Sequence, residues 1–491
     1  MGCAIVFGAI SLWSHFHYSE SDGVPASLLD RQFSPAELRA DIDDLMATIR
    51  RVHPDATYNI SAEELERAQA TTKRAIDRPM TRREFFPVAA RLAARLGDGH
   101  TGVGYPMAEI RRAMVDGKWF PLTASRLDER GFRVKSVHAE GCSIQPGDLV
   151  LSINGHSAVE LCDEFTSWQS GEKLFYRRGR ALRGWTIEMW LKGIEPPYRI
   201  EWRSEATGKT ATATVEGVRW SVFERRRSAG SPPPADYTFR RLEGNVGYLD
   251  FRAMRDLGKF RRFLKKTFSA IDRRPVKGLI IDLRRNGGGS TELGEALLSY
   301  ITEKPYRMMA RMELRVSREK KAALKKMLPA WMRWMPLQWL HPLGREIWGT
   351  PDGQFIKWEG DLVRPGPNRL RYTGPVCVLI GERTFSSAQK LSNAIKDYKL
   401  ATLIGSETGG NPNAFGELLT FRLPHTRLEA YVSTKRYVRA NGDATWRRGI
   451  LPDIEVRQTP QDARRGIDTV LDAARAWVEK QAGHDGDDGN G

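Results

Sequence analysis

Apolar residues recur at helical spacing from Leu38 through Ile49, directly after Ser34-Pro-Ala-Glu37, which is a capping box with proline at the first helical position. Ser61-Ala-Glu-Glu64 and Thr81-Arg-Arg-Glu84 open two more helices in the same way, so the chain from Ser34 to Val103 reads as a helical region. Between Lys118 and Val218 the pattern shortens to alternating runs. There Pro146-Gly-Asp148 predicts a turn, Leu149 to Ile153 a strand, and Asn154-Gly155 the next tight turn. Ser228 to Pro234 is a polar, proline-rich linker. Beyond it Val246 to Phe251 is a strand, Leu257 to Ile271 a basic helix and Gly278 to Leu283 another strand, an alternation that predicts a parallel α/β sheet. Glu292 to Thr302 and Ser387 to Asp397 read as helices, and Ala401 to Ile404 as a strand. Leu418 to Leu423 and Leu428 to Ser433 read as an antiparallel pair with a structural His425 in the turn, and Pro460 to Gln481 holds a final helix.

Two strand ends carry candidate chemistry. Gly278-Leu-Ile-Ile-Asp-Leu-Arg-Arg-Asn-Gly-Gly-Gly289 ends in three glycines, whose backbone can turn several N–H groups toward one point. Val376-Cys-Val-Leu-Ile-Gly-Glu-Arg-Thr-Phe-Ser-Ser-Ala-Gln389 ends in a serine pair where a strand gives way to a helix. A hydroxyl nucleophile and a donor pocket for an oxyanion are what acyl transfer needs. The N–H of Ser387 and one from Gly287 or Gly288 are the natural oxyanion donors. The same residues also suit a plain turn and a helix N-cap, and the cap is compatible with a nucleophile because a helix N-terminus favours negative charge.

These stretches resemble the tail-specific, C-terminal-processing peptidase family, in which Asp-Leu-Arg-x-Asn-x-Gly-Gly follows one strand and Ser-x-x-Glu follows another. Asp282 to Gly288 and Ser386 to Gln389 match, with Gln389 where the family has Glu. Gly405-Ser-Glu-Thr-Gly-Gly410 is similar to the family's Gly-x-x-Thr-x-Gly loop, and Gly449-Ile-Leu-Pro-Asp-Ile-Glu-Val456 to its closing strand. Four matches in family order are far more specific than one glycine turn. The resemblance implies a crotonase-like core with Ser386 as nucleophile. The family's lysine base has Asn411 at its place here, so the resemblance points instead to the histidine-dependent, tricorn-core-like branch. Leu96-Gly-Asp-Gly-His-Thr-Gly-Val103 matches that branch's motif and makes His100 the general base, a role suited to an imidazole that is largely neutral at neutral pH. The third group is open. Asp98 sits awkwardly close in sequence, Glu407 is a fair candidate in the neighbouring loop, and Asp443 is the acid nearest to where the branch can place a Glu.

Composition adds bounds. At 491 residues the chain holds several domains, and its hydrophobic content and charge are those of a soluble globular protein. The net charge of +17 is spread along the chain without a nucleic-acid motif, so nucleic acid is not an expected partner; an anionic membrane or acidic substrate suits the charge as well. Four cysteines show no metal-ligand spacing, Cys377 reads as a buried thiol, and Cys142 and Cys162 pair only if the fold joins them. Ala4 to Trp13 is too short to span a bilayer and lacks the preceding basic residue of a signal peptide. The family's habits favour the cell envelope or secretion.

The expected organisation is a multidomain α/β protein. Residues 1–33 form an apolar targeting or anchor segment, 34–115 a helical domain, 116–225 a β-rich PDZ-like domain, and 226–236 a linker. Residues 237–481 form the catalytic core with an insertion at 310–370, and 482–491 a disordered tail. The insertion mixes lysines with Trp331, Trp334, Trp339 and Trp348 and reads as a lid or as a helix at a membrane surface. The implied activity is serine-type endopeptidase action on proteins or peptides near their C-terminal tails. No metal or cofactor is implied. The alternatives are a non-catalytic peptide- or ligand-binding protein on the same scaffold, and an esterase, which the absence of Gly-x-Ser-x-Gly around Ser386 disfavours.

Overall fold

The computed structural model describes residues 23–229, 235–326 and 342–487. All three predicted capping boxes form. Ser34, Ser61 and Thr81 accept from the backbone N–H of Glu37, Glu64 and Glu84, and each glutamate reaches back to the N–H of its cap. The helices that follow span Pro35–Val52, Ala62–Arg74 and Arg82–Ala94. The first buries Leu38, Ile42, Leu45, Met46 and Ile49 along one stripe, as its period requires.

After these helices the chain makes a two-residue strand, Gly102–Val103, which pairs antiparallel with Glu429–Val438, Gly102 opposite Tyr431. That short pairing stitches the N-terminal region onto the core and fixes where the preceding loop, Gly97 to Thr101, must lie. Asp41 reinforces it from the first helix by accepting from the N–H groups of His425 and Thr426, each at 2.9 Å. His425 is thus placed in a structural turn.

The β-rich region is a five-strand antiparallel run, Leu122–Asp128, Gly131–Val137, Leu149–Ile153, Tyr198–Arg203 and Thr210–Val215. Between its third and fourth strands lie two helices, Ala158–Ser167 and Leu174–Lys192, which the alternating pattern did not predict. They close the core of this region, where Phe165 and Trp185 meet Phe132 and Ile153.

The second half contains a six-strand sheet in the order Tyr237–Leu242, Val246–Phe251, Leu279–Asp282, Val376–Ile380, Thr402–Gly405 and Ile454–Glu455. Only its first pairing is antiparallel. Its central strands Leu279–Asp282 and Val376–Ile380 are buried along their whole length because both faces are covered. Leu279 and Ile281 join one core with helices Leu257–Arg273, Thr291–Leu298 and Ser387–Tyr398, while Ile280 and Cys377 join another with helix Thr469–Asp487.

The segment 310–370 is not an excursion from the core at its ends. Arg311–Arg315 and Phe355–Glu359 pair with each other, and the former pairs with Glu429–Val438, extending the sheet that holds Ala414–Arg422. Trp348 packs partly buried beside Leu314 and Ile347. Trp331, Trp334 and Trp339 lie outside the described residues, as do residues 1–22 with the N-terminal apolar run. The C-terminal helix is broken into Pro460–Arg464 and Thr469–Asp487, with Gly466 at φ 72° between them, and runs into the stretch expected to be disordered. Cys142, Cys162 and Cys377 are free thiols. No helix among the described residues is long and apolar enough to cross a membrane.

Candidate active site

The parallel strands deliver two loops to one edge of the sheet. Strand Leu279–Asp282 ends in the glycine turn, which Arg284 anchors by bonding both Asp282 and Asp468. Asn286 is fully buried and pins the turn on three sides. Its Nδ2 donates to the Phe251 carbonyl, its carbonyl accepts from Phe385 N, and its Oδ1 accepts from Gly288 N. The neighbouring strand, Val376–Ile380, ends in Gly381 to Phe385, where Thr384 Oγ1 donates to the Leu283 carbonyl at 2.8 Å. The glycine turn and the serine loop are therefore one bonded unit.

Ser386 is the N-cap of helix Ser387–Tyr398 and sits at φ 53°, ψ −123°. A non-glycine residue pays a conformational cost there, which the surrounding bonds enforce. A strained serine between a strand and a helix is the geometry of a nucleophile elbow, reached here without the Gly-x-Ser-x-Gly pattern. Gly288 explains part of the sequence: a Cβ placed on it would lie 2.7 Å from Ser386 Cβ and 2.9 Å from Ser387 N, and its φ is 103°.

His100 reaches the serine from the other half of the chain, with Nε2 3.1 Å from Ser386 Oγ. The loop that carries it is organised by Asp98. This buried carboxylate accepts from His100 N, Thr101 Oγ1 and Ser433 Oγ, and its Oδ2 lies 3.2 Å from His53 Nε2. Burial alone would raise its pKa, but the hydrogen bond and charge of His53, with His100 and Ser433, hold it well below the usual carboxylate range. Asp98 Oδ1 is 3.9 Å from His100 Nδ1. Glu407, the sequence-based candidate for orienting the histidine, is engaged elsewhere. Its Oε1 accepts from Gly449 N at 2.8 Å, its Oε2 from Arg448 at 2.9 Å, and Lys173 lies 3.8 Å away. Asp98 bonds the backbone N–H of His100, while its carboxylate stands 3.9 Å from the ring nitrogen. Asp443 is likewise occupied, by Thr445.

The expected oxyanion donors divide. Gly288 N is used by Asn286, whereas Gly287 is exposed and neither Gly287 N nor Ser387 N bonds to any described residue. The Ser387 hydroxyl donates to the Gly289 carbonyl at 2.5 Å and so belongs to the scaffold. The Gly288 N–H is thus taken up within the turn, and its lack of a side chain leaves room for Ser386.

Other residues at the site carried no sequence signal. Phe385 lies between two rings, with His100 stacked at 5.0 Å between centroids and Tyr176 at 4.6 Å. Tyr176 belongs to helix Leu174–Lys192 of the β-rich region, which brings that region against the candidate active site. Glu172, just before that helix, has its carboxyl enclosed beside Gly99; burial, then the negative Asp98, push its pKa up to about 8.

A half-buried serine–histidine contact at the C-terminal edge of a parallel sheet, with N–H groups beside it that bond no described residue, is an arrangement of the acyl-transfer class. Residues 245–456 match the model of peptidase family S41. Among curated proteins, an uncharacterized protein of Chlamydia muridarum is 28% identical over 245 residues, 43% of this chain and 39% of that protein. A protein of Chlamydia trachomatis is 28% identical over 241 residues, again 43% of this chain and 39% of its own length. The chain thus spans 39% of the length of the curated relatives it matches. Among solved structures, mature CPAF complexed with lactacystin is similar with a TM-score of 0.62 at 17% identity, over 91% of this chain and 98% of that one. Mature CPAF alone gives 0.61 at 17% over 92% and 98%. At that identity the likeness is one of fold.

Proposed function

We propose that the protein is a serine endopeptidase in which Ser386 attacks the scissile carbonyl and His100 takes its proton. The observation that carries this reading is the 3.1 Å contact between His100 Nε2 and Ser386 Oγ, within hydrogen-bond reach for proton transfer. Oγ bonds to the carbonyl carbon, the resulting oxyanion is received by the N–H groups of Ser387 and Gly287, and His100 returns the proton to the leaving amine. Water then releases the acyl group by the same path. The histidine-dependent mechanism is further supported by Asn411, which cannot act as a base where a lysine would.

Selection of substrates by their tails is the finer part of the reading. Among the described residues, strand Leu122–Asp128 pairs on one side only, with Gly131–Val137. A groove of about 920 Å³ runs between it and helix Leu174–Lys192, lined by Arg126, Tyr176, Arg183 and Arg383 among others. An unpaired strand edge beside a helix, with arginines present, suits an added peptide strand ending in a carboxylate. Tyr176 lines this groove and stacks on Phe385, next to the nucleophile.

Fluorophosphonate labelling with mass spectrometry tests the first part: an adduct on Ser386 that disappears in Ser386→Ala is expected, and folded protein without an adduct would sink it. Matched peptides with free and amidated C-termini test the second, with faster cleavage of the free acid expected.

A further inference from the structure

Helix Ser387–Tyr398 exposes little of its first turn. Ser387, Ala388, Gln389 and Leu391 are buried, and only Ser386 and Lys390 keep partial exposure. Residues four apart lie on one face of a helix, with about 6 Å of rise between them. Lys390 thus lies one turn beyond the nucleophile on the helix that Ser386 caps, and both residues keep partial exposure. Its Nζ lies 3.0 Å from the centroid of the Tyr437 ring and makes no hydrogen bond or ion pair with any described residue.

Ser433, Lys435 and Tyr437 alternate along Glu429–Val438 and so share a face. Ser433 holds Asp98 beneath the His100 loop, Lys435 bonds Glu417, and Tyr437 underlies Lys390. Glu417 is gripped twice, by Lys320 and by Lys435, at 2.5 Å each. One carboxylate thus answers two buried ammonium groups before Lys390 is counted. Desolvation, then the repulsion of Lys435, push the Lys390 pKa down to about 7, against the pull of Glu417. Three lysines around one glutamate leave a site short of negative charge, and the least committed amine is the one a turn beyond the nucleophile.

We propose that Lys390, backed by Lys435 and Tyr437, is a specificity subsite that receives an acidic side chain on the residue whose carbonyl carbon Ser386 attacks. This deepens the peptidase reading and rests on it. A glutamate side chain is long enough to bridge one helical turn, and its carboxylate supplies the missing charge. Cleavage is then directed to the C-terminal side of acidic residues.

The test uses the full chain and two peptidyl diphenyl phosphonates of one sequence, bearing a glutamate or a glutamine side chain on the residue that carries phosphorus. Ser386 Oγ displaces phenoxide in either, and the adduct is located by mass spectrometry. The glutamate probe is expected to label about 10- to 100-fold faster, the range for a charge-assisted hydrogen bond gained. In Lys390→Met and in Lys390→Gln that ratio collapses toward one, while Lys390→Arg keeps much of it; thermal unfolding shows that each variant is folded. Protein that takes a simple fluorophosphonate on Ser386 but shows no preference for the glutamate probe, by equal labelling or by none, overturns the subsite alone. A preference that survives in Lys390→Met and Lys390→Gln does so too. Absence of every adduct on Ser386 removes the nucleophile and the subsite together.

Discussion

His100 Nε2 and Ser386 Oγ meet at 3.1 Å although 286 residues separate them in the chain. The contact depends on the two-residue pairing of Gly102–Val103 with Glu429–Val438, which places the histidine loop, and on the strained backbone of Ser386, which turns its hydroxyl outward. Removal of the base with the nucleophile intact separates their roles. His100→Ala is expected to slow fluorophosphonate labelling of Ser386 by about 10²- to 10⁴-fold at neutral pH, the usual contribution of a general base, with little change in Tm. A labelling rate within a few-fold of wild type would mean that another group activates the serine.

Asp98 is the organiser of that loop, so its removal acts on stability as well as on labelling. Asp98→Asn leaves His53 and the hydroxyls of Thr101 and Ser433 facing an amide in a buried site, at a cost of about 3 kcal/mol. The folded-state pKa of Asp98 is depressed, so its contribution is present above its unfolded value of 3.8 and is lost as pH falls through the lower folded value. Urea titrations of wild type and Asp98→Asn should differ fully at pH 7 and converge in strong acid. A gap that does not change with pH would deny the carboxylate its charge.

The two candidate oxyanion glycines make opposite predictions. A methyl on Gly288 meets Ser386 Cβ at 2.7 Å in a backbone conformation with φ 103°, whereas one on Gly287 meets nothing within 4 Å. Gly288→Ala is expected to lose more than about 10²-fold in Ser386 labelling and about 1–3 kcal/mol of stability. Gly287→Ala keeps its N–H and should retain the wild-type Tm. Equal behaviour of the two variants would contradict the close approach at Gly288.

What the sequence made legible follows from how local each signal is. The three capping boxes lie within four-residue windows, and all three helices formed where Ser34, Ser61 and Thr81 placed them. The strand ends at Asp282 and Ile380 were visible because buried parallel strands are apolar runs that stop abruptly. The partners of a residue were not legible. Asp98 was set aside for being two residues from His100, yet it holds the loop through His53 and Ser433, which are distant in sequence. Glu407 stood in the right loop and points to Gly449 and Arg448. The helices at 158–192 were hidden because Leu174–Lys192 carries arginines and two glycines that blur its apolar stripe.

Glu172 yields the pH-dependent prediction. Its carboxyl is enclosed, with Asp98 as a like-charged neighbour, and its pKa rises from 4.5 to about 8 on folding. A carboxyl raised in this way holds its proton in the folded state while the unfolded chain has released it. The folded state therefore binds more protons between pH 4.5 and about 8, and stability falls as pH rises across that window. The cost is absent below the unfolded value and complete above the folded one. Glutamine keeps the shape of the neutral acid and cannot ionise, so Glu172→Gln is expected to match wild type near pH 4 and to be more stable by about 2–4 kcal/mol at pH 9. Glu188 is also raised to about 8, by burial, but it is present in both proteins and cancels in the difference. Denaturant midpoints at pH 4, 6.5 and 9 measure the gap. If it stays constant with pH, Glu172 ionises in the folded protein as readily as in the unfolded chain, and the pull of Lys173 and the Gly99 N–H outweighs burial.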